Sequence, residues 1–271
     1  MQRMTEGAGT RMPEEAHSLA VFIDFENLAV GAEQAQRRSR STAKKKNGTF
    51  DMKLVLERLV EKGKIVAKRA YADWARFPDY VQPLHELGIE LMEIPERGMT
   101  GKNSADIRLV VDAMELSYTK EHIDTFCIVS GDSDFTPLVG KLKENGKTVI
   151  GLGMKDSTSD LLAANCDEFI YYEDLGAATS APALGDKVPK AKRPAYKVLF
   201  DSIEALQREN VDPIHSSMLK DTIKRKQPQF TESSYGYKSF TQLLEDAQKL
   251  GFVTLRKDQR SGTYVVEGFT R

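Results

Sequence analysis

Between residues 19 and 175 the chain alternates short apolar runs with amphipathic segments, and this alternation restricts the fold more than any other feature. LAVFID (19–24) reads as a buried strand, and KIVAKRAYAD (64–73), IELMEI (89–94), TFCIVS (125–130), KTVIGLGM (147–154) and EFIYY (168–172) as further strands. After a polar insertion behind the first strand, MKLVLERLVEKG (52–63) spaces its apolar residues as a helix does, with Asp51 as N-cap and Gly63 as stop. PDYVQPLHELG (78–88), closed by Gly88, reads as a helix, as does SADIRLVVDAMELSY (104–118), with Ser104 at the N-cap position. FTPLVGKLKENG (135–146) and a short segment around residues 160–164 complete the set. Strands alternating with helices predict an α/β domain whose mostly parallel sheet is covered by helices on both faces. In such folds ligands bind beyond the carboxyl ends of the strands, where strand order reverses.

Residues 176–194, GAATSAPALGDKVPKAKRP, lack apolar periodicity and read as a linker. Beyond them AYKVLFDSIEALQREN (195–210), SSMLKDTIKRKQ (216–227) and YKSFTQLLEDAQKLG (237–251) are amphipathic helices. FVTLRKDQRSGTYVVEGF (252–269) reads as a hairpin turning at Ser261-Gly262. Three helices and a hairpin outline a small winged helix-turn-helix domain. The expected division is a loose tail (1–17), an α/β domain (18–175), the linker (176–194) and the winged helix (195–271). A length of 271 residues, 40% hydrophobic, accommodates a larger and a smaller core. No apolar stretch reaches the roughly 20 residues that span a bilayer, and the polar start lacks a signal-peptide core. Cys127 and Cys166 form neither a metal spacing nor a disulfide framework, so the expected setting is the reducing cytoplasm.

The net charge of −1 conceals an asymmetry. From Lys190 onward there are 15 basic and 10 acidic residues, leaving 24 and 30 of the totals of 39 and 40 in front. An acidic front suggests cations, and a basic rear is compatible with a phosphate backbone. Three acidic sites stand out in the front part. Asp24-Phe25-Glu26-Asn27 ends the first strand, placing Asp24 at the tip, where a side chain can reach solvent. SGDSDF (130–135) follows another strand, its Gly131 permitting a tight turn and its Asp132 and Asp134 lying at the mouth of that turn. A lone Asp134 at a helix start would be read as a cap. Asp106 falls in the first turn of the helix that opens at Ser104. Asp112 lies about 600° further round and faces elsewhere, either supporting the site or solvating the helix. Carboxylates gathered at one sheet edge repel one another unless a cation sits among them, and such hard oxygen donors suit Mg2+ or Mn2+.

The strand-end pattern Asp24 to Asn27, the spacing from Lys102 to Asp106 with Asp112 beyond, and SGDSDFTPLVGKLKENGKTVIGLG together resemble the NYN domain family, PIN-like metal-dependent ribonucleases, in its LabA-like branch. The resemblance covers roughly 18–175. It implies a PIN-like, Rossmann-like sheet and a metal site of Asp24, Asp106, Asp132 and Asp134. Asn27 and Ser130 would orient these carboxylates or contact substrate, and Asp112 matches a recurrent acidic position. It further implies phosphodiester hydrolysis leaving a 5′-phosphate and a 3′-hydroxyl, with RNA as substrate. The same chemistry would serve DNA, which only 2′-hydroxyl contacts distinguish. His17, His85, His122 and His215 are dispersed, which argues against a histidine-driven ribonuclease. Asp24-Phe25-Glu26 lacks the second aspartate of an aspartyl phosphatase. The alternative is an inactive RNA-binding or adaptor protein.

FTESSYGYKSFTQLLEDAQKLGFVTL (230–255) resembles the OST-HTH or LOTUS domain, a module associated with RNA binding or with a protein partner. Phe240 and Leu243 read as core. Tyr235, Lys238, Lys224, Arg225 and Lys226 are the candidates for nucleic-acid contact. Lys102 and the basic run that includes Arg37, Arg38, Arg40, Lys44, Lys45 and Lys46 are placed to meet a polyanion near Asp24.

Overall fold

The computed structural model describes residues 17–38, 50–95, 104–176, 181–259 and 262–270. Six strands, β1 (Ser18–Asp24), β2 (Lys64–Ala72), β3 (Glu90–Glu93), β4 (Thr125–Val129), β5 (Thr148–Gly153) and β6 (Glu168–Tyr171), form one sheet. Its order is β3-β2-β1-β4-β5-β6 and every neighbouring pair is parallel. The strand order reverses between β1 and β4, and Ile23 stands opposite Val129 there, so Asp24 lies level with Ser130.

Strand alternation divides the core into two layers. Leu19, Val21 and Ile23 of β1 face one side, where α1 (Phe25–Arg38), α2 (Met52–Lys62) and α3 (Pro78–Glu86) pack. Ala20 and Phe22 face the other, against α4 (Ser104–Thr119), α5 (Thr136–Glu144) and α6 (Asp160–Asn165). Asp24 is in phase with Ala20 and Phe22, so the sheet turns it toward the face that carries α4.

The expected caps of α2 are present: Asp51 Oδ1 accepts the Lys53 N–H at 2.9 Å, and Gly63 ends the helix. Ser104 is the first residue of α4 rather than a cap before it. Helix α1 departs from the expected polar insertion. Phe25, Leu28 and Ala29 recur at helical spacing and are buried, and the Phe25 ring meets those of Trp74, Phe77 and Tyr80 at 5.2, 5.2 and 4.9 Å. That anchorage outweighs the polar residues that follow.

The C-terminal part consists of α7 (Arg193–Arg208), β7 (Ile214–His215), α8 (Ser216–Lys226), α9 (Phe240–Lys249), β8 (Val253–Lys257) and β9 (Tyr264–Phe269). The antiparallel order β7-β9-β8 adds one short strand to the expected hairpin. Phe200, Phe252 and Phe269 form an edge-on aromatic cluster in its core. The second half of the stretch read as a linker is packed: Val188 is buried, and Ala181 and Leu184 lie against the same core. Arg193 donates to the carbonyls of Gly185 and Val188 at 2.8 and 3.1 Å.

Charged side chains join the two parts. Glu61 of α2 accepts from Arg58 at 2.9 Å, from Arg208 at 2.7 Å and from Lys226 at 2.8 Å. Glu209, which follows α7, accepts from both Arg58 and Lys62, and Lys62 also pairs with Glu168 at 2.7 Å. Among the described residues no helix is long and apolar enough to cross a membrane.

Candidate active site

The carboxyl ends of β1 and β4 are stitched by side chains of the residues that follow them. Asp24 Oδ1 accepts the Asn27 N–H at 3.2 Å and Oδ2 accepts the Ser130 hydroxyl at 2.9 Å. Asn27 Oδ1 in turn accepts the Gly131 N–H at 3.0 Å, and Ser130 Oγ accepts the Asp132 N–H at 3.1 Å. Gly131 is required by close approach: a Cβ there would lie 2.5 Å from the Ser157 carbonyl oxygen. The loop after β5 thereby closes on the loop after β4, with the Ser159 N–H donating to the Gly131 carbonyl at 2.9 Å.

Asp24 does not reach out to solvent as its strand-end position suggested; it is 6% exposed. Burial, above all, pushes its carboxyl up to about 7. The hydrogen bonds from Asn27 and Ser130 oppose that rise, and the charges of Asp106 and Asp132 add to it. Asp106, half-buried in the first turn of α4, is raised by burial and then by Asp132, Asp134 and Glu26. All four expected aspartates therefore share one electrostatic field. The cap at the start of the short turn Ser133–Phe135 is Asp132, whose Oδ1 accepts the Asp134 N–H at 2.9 Å; Asp134 itself is exposed.

Glu26 belongs to the same field and was not singled out from the sequence. Its Oε1 accepts the Asp73 N–H at 3.2 Å and its Oε2 pairs with Arg76 at 2.7 Å, which brings the end of β2 to the site. The signal available was its place two residues after Asp24. Asp112 lies elsewhere. It is 3% exposed and accepts from Tyr71 Oη and Arg108 Nε, both at 2.9 Å, with Arg69 at 3.7 Å. Asp112 thus neither solvates α4 nor joins the cluster; it ties α4 to β2. Burial and then the Asp112 hydrogen bond push the Tyr71 hydroxyl far up, so it stays a donor.

The donors at this edge are carboxylate, hydroxyl and amide oxygens, the set a hard divalent cation prefers. A cation would also relieve the mutual repulsion that raises Asp24 and Asp106. Among the described residues no three carboxylates converge as a ready cation cage. The fit is therefore one of charge and donor type.

Of the expected nucleic-acid contacts, Lys102, Arg40, Lys44, Lys45 and Lys46 lie outside the described residues, as do the side chains of Arg37 and Arg38 on α1. Along the basic end of α8, Arg225 and Lys226 are partly buried and Lys224 is exposed. Lys224 donates to the Phe230 carbonyl at 2.8 Å, Arg225 to Thr222 at 3.2 Å, and Lys226 is held by Glu61 and the Asp201 carbonyl. Of the three, Lys226 is the one whose charge is met by a carboxylate of the chain. Tyr235 stacks on Phe230 at 5.5 Å, and Lys238 is exposed. Phe240 and Leu243 are buried, as expected, and so is Tyr237, whose hydroxyl donates to Asp246 at 2.6 Å. Gly236, at φ +78, supplies the left-handed turn between Tyr235 and Tyr237.

A parallel sheet with carboxylates at its switch point, followed by a winged helix, defines a nuclease-type α/β domain joined to a helix-turn-helix module. The NYN domain model matches residues 18–173, and the chain belongs to this family, part of the PIN-like nuclease superfamily. The OST-HTH/LOTUS domain matches residues 198–265. An uncharacterized protein of Methanocaldococcus jannaschii is 29% identical over 154 residues, which are 57% of this chain and 55% of that protein. The chain thus spans about half the length of this curated relative. A crystal structure of a protein of unknown function from Vibrio parahaemolyticus aligns with a TM-score of 0.49 at 23% identity, over 60% of this chain and 98% of that one.

Proposed function

We propose that the chain is a metal-dependent ribonuclease that hydrolyses RNA phosphodiesters at the edge bearing Asp24, Asp106, Asp132 and Asp134. The observation that carries this reading is the buried Asp24, raised to about 7 and held in the field of Asp106 and Asp132. A buried carboxyl surrounded by like charges is unfavourable for folding and useful for gathering a cation. Asp24, Asp106 and Asp132 would hold Mg2+ or Mn2+, with exposed Asp134 completing the set. When bound, the cation supplies a lowered pKa for water and offsets charge developing on the phosphate. Ser130 and Asn27 orient the carboxylates: Ser130 holds Asp24 Oδ2, and Asn27 fixes the Gly131 turn that presents Asp132. Lys238 and Tyr235 on the winged helix are the candidate RNA contacts, one for phosphate and one for a base.

The test is cleavage of labelled RNA by the full-length protein with and without Mn2+, beside Asp132→Asn. Asparagine preserves the cap on Asp134 and removes the charge. The expected result is Mn2+-dependent cleavage by the wild type and a loss of at least about 100-fold in the variant. Equal cleavage by the two proteins would refute the assignment. RNA binding without cleavage by the wild type would instead identify an adaptor.

A further inference from the structure

The outward face of α4 is apolar. Ile107, Val111 and Tyr118 are 62%, 54% and 65% exposed, and Met114 lies half-buried among them. Leu109, Asp112 and Ala113 occupy the inward face. A helix that is apolar on both faces ordinarily has protein against both. Positions 107, 111, 114 and 118 are separated by four, three and four residues, the d-a-d-a spacing of a coiled-coil seam. Arg108 and Glu115 occupy successive e positions beside that seam. With Ser104, Ile107 and Val111 they border a shallow groove of about 380 Å³.

We propose that α4 pairs with α4 of a second copy of this chain, antiparallel, as the seam of a two-fold homodimer. The order of charges fixes the direction. In an antiparallel pair e positions face e positions, so Arg108 of each copy meets Glu115 of the other, twice by symmetry. In a parallel pair each would face a g position, and Val110 and Ser117, which stand there, carry no charge. In the antiparallel register Ile107 lies opposite the other copy's Tyr118, and Val111 opposite its Met114. Arg108 already binds Asp112 through Nε, which leaves the outer edge of its guanidinium for Glu115. The two copies of Asp106 are then roughly 20 Å apart along the helix axes, so the two candidate sites lie at opposite ends of one seam.

Sedimentation equilibrium of the full-length protein at micromolar concentrations is expected to show a dimer. Val111→Glu buries an unpaired charge in the seam and should weaken association by at least about 100-fold, with unchanged circular dichroism. Glu115→Arg, a surface change that leaves folding intact, should weaken it about tenfold by placing like charges together. Should Val111→Glu lose its helix signal, Glu115→Arg decides. Direction is read by disulfide trapping: a mixture of Ile107→Cys and Tyr118→Cys chains should form mixed dimers, and neither variant should link to itself. A monomeric wild type overturns the proposal. So does a dimer that survives both charge variants, or self-linking by Ile107→Cys.

Discussion

Two clusters of buried charge in this molecule are built on opposite plans. At the junction of the two domains Glu61 is surrounded by Arg58, Arg208 and Lys226. Burial works against the Glu209 carboxylate there, but hydrogen bonds from Lys62 and Arg58 outweigh it and hold the group below its ordinary range. At the carboxyl ends of β1 and β4 burial has the same sign and the neighbours are carboxylates, so Asp24 and Asp106 are both raised. Desolvation is common to the two clusters; the partners differ. One cluster is complete within the chain. The other leaves its carboxylates facing one another, and under the proposed function a cation from outside would complete it.

The sharpest way to break this contrast is to remove one carboxylate from each cluster. Asp24→Asn is expected to lower RNA cleavage by at least about 100-fold while stabilising the metal-free protein, on the order of 2 kcal/mol at pH 8. Urea unfolding beside the cleavage assay reads both, and a destabilised variant would contradict the like-charge account. Glu61→Ala should do the reverse. It leaves three cations short of an acceptor and should cost about 3 kcal/mol in the same unfolding experiment, with cleavage by the folded protein unchanged.

The pH dependence follows with opposite signs. The folded carboxyl of Asp24 titrates near 7, above its ordinary value of 3.8, so the folded state binds the proton more tightly. Its contribution favours folding below pH 4 and is lost as pH rises through about 7. Glu209, held below 4.5, contributes stability above that value, lost as pH falls through its folded pKa. Unfolding free energies of the metal-free protein between pH 4 and 8 should therefore fall less steeply in Asp24→Asn than in the wild type. Adding Mn2+ should flatten the wild-type curve in the same way. The smallest expected effect is that of Lys238→Ala on RNA affinity: a few-fold loss, with the salt slope reduced by about one. Electrophoretic mobility shifts at several salt concentrations measure it.

What was legible in the sequence was set by local pattern. LAVFI and FCIV are apolar throughout because helices cover both faces of β1 and β4, and the aspartates stand out because they follow such runs. Helix α1 was hidden because Phe25, Leu28 and Ala29 anchor it in a core whose aromatic rings come some 50 residues later in the chain. Asp112 was ambiguous because its phase on α4 says which way it points but not that Tyr71 waits there. The inward turn of Lys226 depends on Glu61, 165 residues away in sequence. Composition registers such a lysine as basic and has no means of registering its acceptor.

That pairing bears on how RNA affinity would respond to salt. Each phosphate contact displaces counterions, so affinity plotted against salt is ordinarily read as a count of contacts. In this molecule Lys226 and Arg208 already have protein counterions, and ions in solution weaken that attachment as well. A salt titration would then register two exchanges at once, one between protein and RNA and one between the two halves of the protein. The apparent contact number should change when Glu61 is neutralised, even though Glu61 itself carries no charge that RNA would seek.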